Sequence, residues 1–110
     1  MDKSDAIEAL HALAQETRLD VFRLLVKRGA EGMAAGEIAE ALGVRQNTMS
    51  ANLSVLARAG MVRSEREGRV IRYYADFDGM RSLLAFLMED CCGGNPDLCN
   101  PVLDEITCAC

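Results

Sequence analysis

Glu37-Ile38-Ala39-Glu40-Ala41-Leu42-Gly43-Val44-Arg45-Gln46-Asn47-Thr48-Met49-Ser50-Ala51-Asn52-Leu53-Ser54-Val55-Leu56 is the stretch on which the fold turns. Its first six residues make a short helix, and Gly43-Val44 stops it. A longer helix follows from about Gln46 to Ala59, with Met49, Leu53 and Leu56 at helical spacing on its inner side. Its start carries short polar side chains instead: Arg45, Gln46, Asn47, Thr48 and Ser50.

Upstream, a first helix starts near Ser4 as N-cap, with Ile7, Leu10 and Leu13-Ala14 on one face. A second begins at Glu16-Thr17, carries Leu19, Val21-Phe22 and Leu24-Leu25, and ends at Gly29. Gly32 to Gly36 reads as irregular. Downstream of the long helix the apolar period shortens to two. Met61–Arg66 and Arg69–Ala75 are strands joined by a tight turn at Glu67-Gly68, where glycine tolerates positive φ. A final helix from Gly79 carries Met80, Leu83-Leu84, Phe86 and Leu87-Met88. It frays at Cys91-Cys92, since Gly93-Gly94 and Pro96 do not continue a helix. The tail through Pro101 to Cys110 is weakly patterned.

This order (helix, short turn, helix, β-hairpin) is that of a winged helix-turn-helix, mainly α with a small hairpin. The expected division is residues 1–92 as the folded domain and 93–110 as a cysteine-containing tail. With 110 residues, half of them apolar, the chain is one domain whose modest core gains from oligomerisation. No apolar run approaches the ~20 residues of a spanning helix and no secretory signal opens the chain, so the expectation is a cytoplasmic protein without a membrane partner.

The net charge of −5 is the wrong sign for a nucleic-acid binder, yet its distribution is not. Residues 1–44 hold five basic and eight acidic side chains, for −3. Residues 45–74 hold six arginines (Arg45, Arg58, Arg63, Arg66, Arg69, Arg72) against Glu65 and Glu67, for +4. Residues 75–110 hold one basic and seven acidic, for −6. A polyanion is drawn to the middle segment alone. Gln46 and Asn47 suit adenine edges, Arg45 guanine or phosphate, and Thr48 and Ser50 phosphate. Arg66 and Arg69 flank the hairpin turn, within reach of phosphates or the minor groove. Taken singly each is an ordinary solvated residue; together they point to double-stranded DNA.

The runs Ala12-Leu13-Ala14-Gln15-Glu16-Thr17-Arg18-Leu19 and Phe22-Arg23-Leu24-Leu25, the stretch quoted first, and the hairpin with Arg66-Glu67-Gly68-Arg69 and Tyr73-Tyr74 together resemble the ArsR/SmtB metalloregulator family over about residues 6–90. The resemblance implies a homodimer paired through the first and last helices, reading a roughly palindromic operator as a repressor. One departure concerns Ala51 and Asn52, where the family usually carries His or Arg and then His; this bears on base contacts, not on the fold.

Five cysteines, Cys91, Cys92, Cys99, Cys108 and Cys110, crowd the last twenty residues. In a short cytoplasmic chain this points to metal or redox chemistry before structural disulfides. The family places sensory sites variously. Here the third helix has no cysteine, and the final helix has no histidine. His11, the single histidine, reads as a surface or interface residue. Cys91, Cys92 and Cys99 remain. Three sulfurs suit trivalent arsenic, whose lone pair fills the fourth direction, or antimony; zinc would want a fourth ligand. Glu89, Asp90 and the helix C-terminus keep such thiols protonated, which favours neutral arsenous acid, while cadmium and lead stay open. Cys108 and Cys110 are auxiliary thiols or idle on a disordered tail, the second being the simpler expectation.

The expected function is therefore a DNA-binding repressor released by arsenite or antimonite at Cys91, Cys92 and Cys99, with no organic cofactor. A thiol redox or persulfide sensor of the same fold is the alternative, and an arsenic-buffering protein is another from a different class. An enzyme is not expected, because the thiols sit among acids at a helix C-terminus rather than beside an activating cation.

Overall fold

Helix α4, Gln46–Arg58, commits its inner face to the core: Met49, Leu53 and Leu56 are fully buried. The computed structural model of the protein describes residues 1–89 and 96–106. Helix α3, Ala35–Leu42, leads into α4 and contributes Ile38 and Ala39 to the core. Gly43 ends α3 at φ 64°, a left-handed conformation that a side chain resists; its N–H and that of Val44 return to the carbonyls of Glu40 and Ala39. Three residues later α4 begins, which fixes the angle between the two helices.

Helix α2, Glu16–Arg28, adds Val21, Phe22 and Leu25 beneath α4. The segment Gly32 to Gly36, expected to be irregular, instead holds a two-residue strand β1, Met33–Ala34, and the start of α3. Met33 pairs with Tyr73, so the sheet captures a segment too short to show a period of its own. Strands β2, Val62–Glu67, and β3, Val70–Ala75, form the hairpin, and the antiparallel order is β1-β3-β2. Glu67 faces Val70 across the ladder, so the two-residue turn is Gly68-Arg69, one position later than expected, with Gly68 at φ 64°.

Helix α1, Lys3–Leu13, departs more instructively from expectation. Its N-cap is Asp2, not Ser4: Asp2 accepts from the Asp5 N–H at 2.8 Å and the Asp5 carboxylate accepts in return. Its buried face is Ala6, Ala9 and Ala12, while Ile7 and Leu10 are 59% and 43% exposed. The small residues let α1 lie close against its neighbours, and the large ones turn outward.

Helix α5, Phe77–Leu87, starts two residues before the expected Gly79, capped by Asp76 through the Gly79 N–H at 3.0 Å. Of its apolar residues only Leu83 is buried; Leu84, Leu87 and Met88 are exposed. It is not the final helix. A sixth, α6, spans Pro96–Ile106 in the tail. Pro101 inside it explains why this stretch does not read as helical, since proline removes one hydrogen bond and crowds the preceding turn. Pro96 at the first position costs nothing of that kind. The expected boundary between residues 92 and 93 falls outside the described residues. Among the described residues no helix is long and apolar enough to cross a membrane.

Candidate nucleic-acid interface

With its inner face committed to the core, α4 has only one side to offer solvent. Arg45 is its N-cap in extended conformation, and Arg45, Gln46, Asn47, Thr48 and Ser50 are all exposed. The first turn has no acidic residue, so the partial positive charge of the helix start is uncompensated by the chain itself. The Asn47 side-chain oxygen accepts from the Thr48 N–H at 2.9 Å, which occupies one of its two lone pairs.

The six arginines of residues 45–74 divide cleanly. Arg63 binds Glu65 at 2.8 Å and stacks over the Tyr74 ring at 4.3 Å. Arg72 donates to Glu67 at 2.9 Å and to the carbonyls of Glu31 and Gly32 at 3.0 and 3.2 Å, with Glu37 at 3.9 Å. The hydrogen bond to Glu67 pushes the Arg72 pKa further up, so the guanidinium ties the wing to the start of α3 as a fixed charge. These two arginines cancel the two glutamates of the segment, and Arg45, Arg58, Arg66 and Arg69 form no ion pair among the described residues. Arg58, at the far end of α4, lines a cleft of about 790 Å³ with Asp5, Glu8, Asp76 and Asp78. Arg45, Arg66 and Arg69 are thus the free cations beside the polar start of α4 and on the wing, with Arg69 in the turn itself.

Asn52 has a different role from its neighbours. It is half-buried, and its side-chain oxygen accepts from Arg18 at 3.3 Å. Sequence reasoning marked this position as a departure in base contacts; here it is a contact within the protein. Nothing in the spacing of Arg18, thirty-four residues earlier, signals that pairing.

Cys99, in the first turn of α6, is 5% exposed and disulfide-bonded. Cys91, Cys92, Cys108 and Cys110 lie outside the described residues. Among the described residues no three His, Cys, Asp or Glu side chains converge as a metal site would require. His11 is exposed and lines a smaller cleft with Glu8, Val55 and Arg58.

Known proteins agree with this geometry. A helix-turn-helix domain family matches residues 13–65. The uncharacterized HTH-type transcriptional regulator MJ1325 of Methanocaldococcus jannaschii is 31% identical over 84 residues, covering 76% of this chain and 92% of the relative. The homodimeric winged helix-turn-helix DNA-binding domain of Mb0332 from Mycobacterium bovis, a possible ArsR-family transcriptional regulator, is 31% identical with a TM-score of 0.64, over 79% of this chain and 81% of that one. A possible transcriptional regulator for arsenical resistance is 26% identical with a TM-score of 0.65, over 88% of this chain and 95% of that one. On these grounds the chain belongs to the HTH-type transcriptional regulators, a DNA-binding family, with ArsR-like proteins among its structural neighbours.

Proposed function

We infer that this protein is a homodimeric repressor that reads double-stranded operator DNA with the start of α4 and the β2–β3 wing, and leaves it when trivalent arsenic or antimony binds Cys91, Cys92 and Cys99. One observation carries the DNA half of the reading: Gln46, Asn47, Thr48 and Ser50 stand exposed on a helix whose opposite face, Met49, Leu53 and Leu56, is wholly buried. The side chains are therefore held in register by the core rather than by a flexible loop. Dimerisation is supported by the outward Ile7 and Leu10 of α1 and Leu84 and Leu87 of α5, and by the homodimeric Mycobacterium bovis neighbour. Two copies would set their α4 helices into successive major grooves, roughly 34–36 Å apart.

The inducer rests on sulfur chemistry. Arsenous acid condenses with three thiols to an As(SR)₃ pyramid and three water molecules, with no net charge to bury. The similarity to a possible regulator of arsenical resistance supports the same ligand class. Release requires arsenic to bind the free form more tightly than the DNA-bound form, and DNA must weaken arsenic binding by the same factor.

A second reading is favoured by the disulfide at Cys99. There the switch is redox: two thiols give up two electrons and two protons to a peroxide, which is reduced to water, and the resulting disulfide alters the DNA-bound form. Fluorescence anisotropy on a duplex selected from a random pool separates the two. With reduced protein, arsenite should release the DNA, and Cys91→Ser, Cys92→Ser or Cys99→Ser should each abolish release while keeping DNA binding. Release by peroxide but not arsenite would replace the first reading by the second. Undiminished arsenite release in all three variants would remove the site.

A further inference from the structure

A charged side chain that is half-buried without a carboxylate beside it has a desolvation cost to offset. Arg18 is such a residue: it forms no ion pair among the described residues. It sits in the first turn of α2, where its own N–H donates to Gln15 at 2.8 Å. Its Nε donates to the carbonyl of Ala12 in the last turn of α1 at 2.6 Å, and Nη1 donates to Asn52 Oδ1 on α4 at 3.3 Å. One rigid, planar fork therefore joins three helices. The Ala12 carbonyl belongs to the negative end of α1, which a cation complements. The stripe Ala6-Ala9-Ala12 lets α1 approach closely enough for the fork to span.

We propose that Arg18 is a positioning residue for DNA reading: through Asn52 it fixes the tilt of α4 against α1, and so the separation of the two reading helices in a dimer. This rests on the reading of α4 as the DNA-contacting helix. In a dimer joined through α1, a change in that tilt moves both copies of Gln46, Asn47 and Ser50 relative to the half-sites. Arg18 touches no DNA in this arrangement. Its half-buried guanidinium is occupied on two sides by protein acceptors.

The test is a double-mutant cycle with Arg18→Lys, Asn52→Ala and both together, measured as affinity for the selected duplex, as the salt dependence of that affinity, and as urea unfolding without DNA. Lysine keeps the charge but cannot make the forked contact. Each single change should weaken specific binding by about tenfold, corresponding to ~1.4 kcal/mol. The double variant should bind no worse than the weaker single one, the salt slope should stay at the wild-type value, and unfolding should show the same coupling. Arg18→Ala should lose affinity like the lysine variant with an unchanged salt slope; a slope lower by about 0.9 per subunit would make Arg18 a phosphate contact and overturn the proposal. Wild-type affinity in Arg18→Lys, or fully additive losses, would overturn it as well. A wild-type chain that binds no duplex would sink the functional reading instead, leaving the strut to be judged by unfolding: coupled losses support it, and additive ones overturn it.

Discussion

Helices α1 and α4 are both amphipathic, yet they solve opposite problems. In α4 the large side chains, Met49, Leu53 and Leu56, go inward and small polar ones remain outside. In α1 the alanines go inward, and Ile7 and Leu10 remain outside. A polar outer face retains its hydrogen-bonding groups for a polar ligand. An apolar outer face leaves area exposed to water that only another apolar surface can cover. Under the proposed function, the contrast separates the face that meets nucleic acid from the face that meets protein.

The largest effect should come from exchanging size for smallness on the inner face of α4. Leu53→Ala is expected to cost about 2–5 kcal/mol in urea unfolding, because Leu53 is fully buried on the inner face of α4. The converse on α1 is Ala9→Leu, which inserts volume where the helix must lie close. It should cost about 1–3 kcal/mol. If Ala9→Leu were neutral, the inward alanine stripe would not be a packing constraint and the comparison would lose half its force.

Much of this was legible in advance where a period was strong and uninterrupted. The inner face of α4 follows from Met49, Leu53 and Leu56, and β3 from its β-branched and aromatic run Val70, Ile71, Tyr73 and Tyr74. The expected period of two does not appear in burial, since β2 is exposed beyond Val62 and β3 is buried only at Tyr74 and Ala75. What was not legible has physical reasons. On α1 hydrophobicity points to Ile7 and Leu10, but an amphipathic pattern does not say which of two apolar stripes, one small and one large, faces the core. Strand β1 is too short to carry a period, and Pro101 disguised α6. The free arginines could be counted from the sequence, but not told apart. Only the register that sets Arg72 beside Glu67 and Glu37 shows which are spent within the fold.

Smaller effects sharpen the polar half of the contrast. Gln46→Ala should leave urea unfolding unchanged while relaxing discrimination at one base pair of each half-site by about 1–3 kcal/mol, read by anisotropy on single-substituted duplexes. Arg69→Ala should weaken binding to all sequences alike and lower the salt slope by roughly one for each subunit. The same change at Arg72 should instead loosen the wing, because its charge is held by Glu67.

The smallest effect is in alkali. Burial in the first place, with Glu65 and Glu67 adding to it, raises the Tyr74 pKa above its usual value near 10. The unfolded chain therefore ionises this tyrosine first, so its contribution to stability is present below about pH 10 and is lost as pH rises through the folded-state value. Tyr74→Phe should flatten the fall of melting temperature above pH 10, with little change at neutrality.

The most direct measurement is a backbone amide NMR footprint of the protein with the selected duplex. The account predicts shifts concentrated at residues 45–50 and at the wing around Arg66 and Arg69, with the amides around Ile7 and Leu10 unmoved. Shifts centred on the outward face of α1 and α5, with residues 45–50 unperturbed, would contradict it.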